Sequence, residues 1–341
     1  MKTQAYYLVR KGASLQSFEL RDHVLHPLNA NEVSIKVEAF GLNYADVMAR
    51  KGLYREAPPL PCVIGYEVVG TIIAIGESVD SSRLNQRVLA FCRFGGYAQQ
   101  VNTSEDAAIP IGNMPAEEAM VLCTQGVTAY YMANYQAPIH TGDNVLIHAA
   151  AGGVGTVLIQ LARHYGATVF AKVGDPSKLA LTKTLGAQFP ICYSTSDYST
   201  EIKGKLNGNK LDIVFNPIGG STYKQDFSML RPGGRLVLFG GSELGNGKWG
   251  LLSTLNFLRK MGAVLPIGLL MTSRSILGVN MLKIADYRPE VMSRCLQEVV
   301  KLHAEGVIKP QVGGTFNHTE LAAAHTLLEN GKSTGKLTVF W

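Results

Sequence analysis

The chain has 341 residues, 46% hydrophobic and 17% charged, with a net charge of +6 and a pI near 9.0. That length and balance imply two folded domains with sizeable cores and exclude a disordered or fibrous chain. The basic excess favours anionic ligands, but no run of Lys and Arg exceeds two, which reads as a mixed solvated surface rather than a nucleic-acid tract.

The opening "MKTQAYYLVRKGASLQ" has no apolar core of the kind a signal peptide needs, so a cytoplasmic chain is expected. From there to about residue 122 the sequence reads mainly as strands. "QAYYLVR" and "EVSIKVEAFGLN" are β-rich with partial alternation, "EVVGTIIAIG" reads as a strand pair, and "QRVLAFCRFGGYAQQVNTS" as more strand. A twisted, mostly antiparallel sheet is expected. The pattern then changes. "PAEEAMVLCTQGVTAYYMANY" is helical, with a Pro-Ala-Glu-Glu start suited to a first turn. Strands and helices alternate after it: "NVLIHA", "GVGTVLIQLARHYG", "ATVFAKV", "SKLALTKTLG", "FPICY", "LDIVFNPIG" and "GRLVLFGG". This is the βαβ signature of a parallel, doubly wound α/β sheet, running to about residue 265. "MGAVLPIGLLM", Met261 to Met271, is too short for a membrane span and is interrupted by Pro266. It reads as a buried segment, with contact to a membrane or a partner as the alternative. The tail gives a helix, "RPEVMSRCLQEVVKLHAEGVI", and then a helix and strand, "HTELAAAHTLLENGKSTGKLTVFW". That closing strand is expected to rejoin the N-terminal sheet. The five cysteines, Cys62, Cys92, Cys123, Cys192 and Cys295, are odd in number and widely spaced, without C-x-x-C. They indicate free thiols rather than a disulfide framework or a cysteine-rich zinc site.

The stretch "VLIHAAAGGVG", Val145 to Gly155, lies where a phosphate cradle must lie, after a strand and at the start of a helix. Gly152 lets the backbone approach a pyrophosphate, Gly155 lets the helix pack closely on the strand, and the helix N-terminus offers free N–H groups. Ala150 stands where a G-x-G-x-x-G loop has its first glycine, which is tolerable if the turn needs no positive φ there. No acid ends the second strand, "TVFAKV", where an NAD enzyme places one for the ribose. Lys172 lies within that strand and Lys178 follows. Asp175 is the competing signal, but Asp-Pro-Ser-Lys also reads as a capped helix start. A lysine can pair with a 2′-phosphate, so NADPH is the expected cofactor. The alternative for Lys178 is an ordinary exposed helix lysine.

The order of a strand-rich domain, the "AAAGGVG" core and a returning tail resembles the medium-chain dehydrogenase/reductase superfamily. "GLNYADVMARKGLY", "PCVIGYEVVG", "TQGVTAYY" and "GKLTVFW" resemble its quinone oxidoreductase branch. "LLMTSRSILGVNM" and "EGVIKPQV" are most similar to the branch's vesicle amine transport protein homologues. The resemblance implies a GroES-like catalytic domain over 1–122 and 266–341, a Rossmann domain over 123–265, and a homodimer through the Rossmann sheet. It also implies that Asn43 and Tyr66 stand where the zinc-using members have ligands, and that their four-cysteine lobe is missing. Too few ligands remain for zinc, so the expected reaction is hydride transfer from NADPH to an electron-poor quinone, without a metal. Reduction of an enone or alkenal, and an NADPH-gated RNA-, lipid- or partner-binding protein, are the alternatives.

By the same resemblance, Asn43 and Tyr54 would lie beside the nicotinamide and substrate. Tyr66 is either a neutral hydrogen-bond donor or a space-filler, and Asp46 more a helix brace than a base. Thr128 would contact the nicotinamide end, and Gly152, Gly153, Val154 and Gly155 the pyrophosphate. Lys178 and Tyr193 would hold the 2′-phosphate, assisted by Gly174 and Ser177. Asn216 opens "NPIGG" at the carboxyl edge of the sheet, where ligand loops lie. Phe239, Gly240 and Asn280 would flank the nicotinamide. His148 reads as structural.

Overall fold

In the computed structural model, residues 3–245 and 251–341 are described. The chain forms two compact units. The first comprises Met1–Val127, Leu282–Lys301 and Pro310–Trp341, and the second Thr128–Met281 and Leu302–Lys309.

The first unit is built on a mostly antiparallel sheet. Its order is Val312–Asn317, Lys336–Phe340, Glu32–Leu42, Glu67–Ile75, Arg87–Phe91 and Ala108–Pro110, with Gln100–Ser104 also paired to Glu32–Leu42. The returning strand is bonded antiparallel to Glu32–Leu42, with Leu337 opposite Leu42 and Phe340 opposite Ala39. A smaller sheet joins Phe18–His23, Thr3–Leu8 and Cys62–Val63. "EVVGTIIAIG" is one strand, Glu67–Ile75, and not a pair. Gly70 lies within it because a Cβ there would overlap the Lys36 carbonyl of the neighbouring strand, so the glycine marks a close backbone approach and not a turn. Ile35, Phe40, Leu42, Ile64, Val68 and Ile72 are fully buried in this unit's core.

The second unit holds a six-stranded sheet in which every pairing is parallel. Its order is Phe189–Cys192, Thr168–Val173, Asn144–Ile147, Leu211–Asn216, Leu230–Leu238, Ser275–Gly278. In chain order within the unit this is 3-2-1-4-5-6, the doubly wound Rossmann arrangement. Every residue of Leu211–Asn216 is buried, and all but the first of Thr168–Val173. Both faces of central parallel strands are covered by helices, which is why these strands lack alternation. The helix Gly153–His164 buries Val157, Leu158, Ile159, Leu161 and Ala162. The next helix, Leu179–Leu185, stops at Gly186, whose φ of 117° few side chains accept.

The expected boundary between residues 265 and 266 falls inside this unit. Ser275–Gly278 adds a sixth strand, pairing parallel with Leu230–Leu238. "MGAVLPIGLLM" is not buried within the chain: Pro266 starts a separate helix, Pro266–Thr272, that has no buried residue. Leu270 is 74% and Met271 80% exposed. All five cysteines are buried free thiols. No helix of the described residues is long and apolar enough to cross a membrane.

Candidate functional site

The candidate residues fall in both units. In the second unit the glycine loop connects the strand Asn144–Ile147 to the helix Gly153–His164. The positive φ of this turn, 48°, belongs to Ala149 and not to Ala150. Ala150 therefore needs no glycine, and a strain on the order of 1 kcal/mol sits one residue earlier. The N–H of Ala150 donates to the Lys172 carbonyl at 3.1 Å, tying the loop to the second strand. A Cβ on Gly155 would lie 2.5 Å from the Ala149 carbonyl oxygen and 2.7 Å from Ala150 Cα, so helix and loop touch through this glycine. Gly152 caps the helix without a side-chain hydrogen bond, and no acid lies in the first turn. The N–H groups of Gly153, Val154 and Gly155 thus point out of the helix end, a site chemically suited to an anion.

After the second strand, Asp175 accepts from the Ser177 N–H at 2.9 Å and caps the short helix Pro176–Lys178. These hydrogen bonds hold its carboxyl below the usual range. Of the two readings of Asp175, the cap is the one the geometry displays. Lys178 is partly buried, and that burial lowers its ammonium pKa. Tyr193 is 52% exposed, and a Cβ on Gly174 would lie 2.7 Å from its hydroxyl. Gly174 and Tyr193 therefore form one surface, with Ser177 exposed nearby in sequence.

Asn216 differs from the expected ligand role. Its Oδ1 accepts from the Ile218 and Gly219 N–H groups at 2.7 and 2.9 Å. Its Nδ2 donates to Thr222 at 2.8 Å and to Asp226 at 2.5 Å. All four hydrogen-bonding places of the amide are used, so the side chain shapes the "NPIGG" loop and has none left for a ligand. Phe239 N–H donates to the Asn216 carbonyl at 3.2 Å. A Cβ on Gly240 would lie 2.7 Å from the Pro217 carbonyl, so these two loops touch. Asn280 is exposed, and Thr128 is buried in the helix Val127–Tyr131. His148 is fully buried, with Nε2 2.9 Å from Asp226 Oδ2.

In the first unit Asn43 belongs to a closed ionic cluster that no spacing in the sequence foretold. Glu67 and Lys336, both fully buried, form an ion pair. Lys336 Nζ also donates to Asn43 Oδ1 at 3.0 Å and to the Leu42 carbonyl at 3.1 Å. Asn43 Nδ2 donates to Glu67 Oε1 at 2.7 Å. The second oxygen of Glu67 accepts the Thr124 N–H at 2.7 Å, beside the helix break at Cys123, where ψ is −113°. The break frees a backbone donor and the carboxylate receives it. Asp46 braces the next helix by accepting the Asn43 N–H at 2.8 Å. Burial pushes its carboxyl up to about 7.

Tyr54 and Tyr66 meet edge to face, with centroids 6.4 Å apart at 85°, and Tyr66 packs on Phe94 at 5.1 Å. The Tyr66 hydroxyl is buried and no partner meets hydrogen-bond geometry. Burial first, then the charge of Asp46, raises its pKa far above the usual phenol value. Burial lifts Tyr54 to about 12. Raised pKa values keep both phenols protonated near neutral pH, so each can offer a neutral O–H as a hydrogen-bond donor rather than a phenolate. Among the described residues no group of three or more His, Cys, Asp or Glu is placed to hold a metal ion.

Residues 29–132 match the alcohol dehydrogenase GroES-like domain family, and residues 153–297 the zinc-binding dehydrogenase family. The synaptic vesicle membrane protein VAT-1 homolog of Rattus norvegicus is 34% identical over 309 residues, 90% of this chain and 76% of that protein. The quinone oxidoreductase of Escherichia coli complexed with NADPH superposes with a TM-score of 0.86 at 25% identity, covering 99% of this chain and 100% of that one. The CurK enoyl reductase gives a TM-score of 0.84 at 27% identity, covering 99% of each. Sequence and fold together place the chain in the medium-chain dehydrogenase/reductase superfamily, among the quinone oxidoreductases and VAT-1 homologues.

Proposed function

We propose that this oxidoreductase is an NADPH-dependent, zinc-independent reductase of quinones or similar electrophilic carbonyls. The observation that carries the reading is the closed cluster of Asn43, Glu67 and Lys336. The Glu67 carboxylate is already neutralised by the Lys336 ammonium, and the Asn43 amide is held between them. With Tyr66 at the other ligand position, these residues do not fit a catalytic zinc. A substrate served here must accept hydride without a Lewis acid, as a quinone or an enone does.

When bound, the nicotinamide supplies the hydride. The N–H groups of Gly153, Val154 and Gly155 fit the pyrophosphate, with no acid or capping side chain competing at that helix end. Gly174, Lys178 and Tyr193 fit the 2′-phosphate, with Ser177 at their edge. Thr128, Phe239, Gly240 and Asn280 are assigned to the nicotinamide end, and Asn216 to shaping the loop between. Asn43 orients through its fixed amide. Tyr66 donates its unpartnered hydroxyl to the substrate oxygen, and Tyr54 packs edge-on beside it. The NADPH-bound relative supports the cofactor assignment.

A second reading, reduction of a conjugated carbon–carbon double bond, is favoured by the likeness to an enoyl reductase. Turnover of NADPH on a panel of quinones and alkenals decides. Faster turnover of quinones supports the first reading, and faster turnover of alkenals the second. Tight cofactor binding without turnover of either supports an NADPH-gated binding protein, for which Leu265, Ile267, Leu270 and Met271 offer an exposed apolar surface.

A further inference from the structure

Lys172 lies 3% exposed in the strand Thr168–Val173, a depth at which an unpaired ammonium is costly. It touches no carboxylate. Its Nζ is 3.3 Å from His148 Nδ1, 3.6 Å from the centroid of the Tyr198 ring and 4.9 Å from that of Tyr193. The far nitrogen of His148 lies 2.9 Å from Asp226. Asp226 also accepts from the Tyr198 hydroxyl at 2.9 Å and from Asn216 at 2.5 Å. Burial lowers the His148 pKa, and in the neutral imidazole the Nδ1 lone pair receives the Lys172 ammonium. Its Nε2, 2.9 Å from Asp226, makes no hydrogen bond of standard geometry. The positive charge is thus held against His148 and against the faces of two tyrosine rings. One of these faces belongs to Tyr193, whose hydroxyl is seated against Gly174.

We propose that Lys172 is a positioning and selectivity residue for the cofactor's 2′-phosphate. Its ammonium holds the Tyr193 ring from behind and adds positive potential beneath the Gly174–Lys178–Tyr193 surface. This rests on the NADPH reading above. Lys172 also accepts the Ala150 N–H through its carbonyl, so the same residue links the pyrophosphate loop to the 2′-phosphate end. A hydrophobic side chain would fill the position at lower desolvation cost, and the selectivity role accounts for the cation.

The charge is also switchable. The groups facing it are His148 from the loop after the first strand, Tyr193 after the third strand, Tyr198 and Asp197 at the next helix start, and Asp226 from the helix Tyr223–Met229. Burial draws its pKa down to about 8, against the pull of Asp226 and Asp197. The ammonium is present below that pH and lost above it, while a 2′-phosphate is dianionic throughout the range above about pH 7.

The test uses the full chain, adenosine 2′,5′-bisphosphate and 5′-AMP, with affinities read by calorimetry from about pH 7 to about pH 9.5. The ratio of the two affinities is expected to fall about five- to tenfold across this range in the unsubstituted protein. The fall should persist in Lys178→Ala. Lys172→Met should bind 5′-AMP but show a low, flat ratio, and Lys172→Arg, which keeps its charge, a ratio that no longer falls. A 2′-phosphate preference retained in full by Lys172→Met overturns this inference and leaves the NADPH reading standing. No preference in the unsubstituted protein overturns both. If Lys172→Met misfolds and loses 5′-AMP, the unsubstituted profile decides, and a flat ratio there overturns the inference.

Discussion

At the scale of single residues, Tyr66 makes the sharpest prediction, because structural and chemical roles part there. Its hydroxyl faces only the Tyr54 phenol and makes no hydrogen bond of standard geometry. Tyr66→Phe should leave the melting temperature unchanged or raise it, since removing an unsatisfied buried hydroxyl is worth about 1 kcal/mol. If the hydroxyl donates to the substrate oxygen, kcat should fall about 10- to 100-fold. Unchanged kcat would make Tyr66 a space-filler, the other reading its sequence position allowed. Asp46 makes a prediction in pH. Burial raises its pKa from 3.8 to about 7, so its stabilising contribution is complete below the lower value and lost as pH rises through the upper one. Thermal stability should therefore decline between about pH 4 and pH 7, and decline less in Asp46→Asn. Melting curves across that range check it.

At the scale of elements, the glycine loop and the buried ion pair are the two structures to break. Gly155→Ala would drive a methyl into the Ala149 carbonyl, costing about 1–3 kcal/mol and shifting the helix end. Unfolding and cofactor titrations should both weaken. Lys336→Met leaves the fully buried Glu67 carboxylate uncompensated and should cost about 3–5 kcal/mol. The double variant with Glu67→Gln should recover most of that in denaturant melts. Much of this framework was legible in the sequence. The strand–glycine–helix run from Val145 was readable because a parallel strand, its loop and its helix are contiguous. What was not legible depends on distant partners. The sixth strand, Ser275–Gly278, is four residues long with two exposed ends, too short for a periodic signal, and only its pairing with Leu230–Leu238 defines it. Lys336 meets Glu67 across 269 positions, and nothing near either residue announces the pair. The use of Asn216 as a loop anchor follows from Asp226 and Thr222, which no motif joins to it.

At the scale of the whole molecule, the exposed apolar side chains around Pro266–Thr272 precede the outer strand Ser275–Gly278. We propose that a second copy of the chain pairs there, extending the sheet. Sedimentation should then give a dimer, and Leu270→Glu together with Met271→Glu should shift it toward monomer; a chain that sediments as a monomer would contradict the pairing. Zinc-independent hydride transfer from NADPH is probed by the steady-state oxidation of NADPH and NADH by a water-soluble quinone, in buffer treated with a metal chelator. Sustained turnover unaffected by the chelator is expected, with kcat/KM for NADPH at least about tenfold above that for NADH. Loss of turnover on chelation, or equal use of the two cofactors, would contradict it.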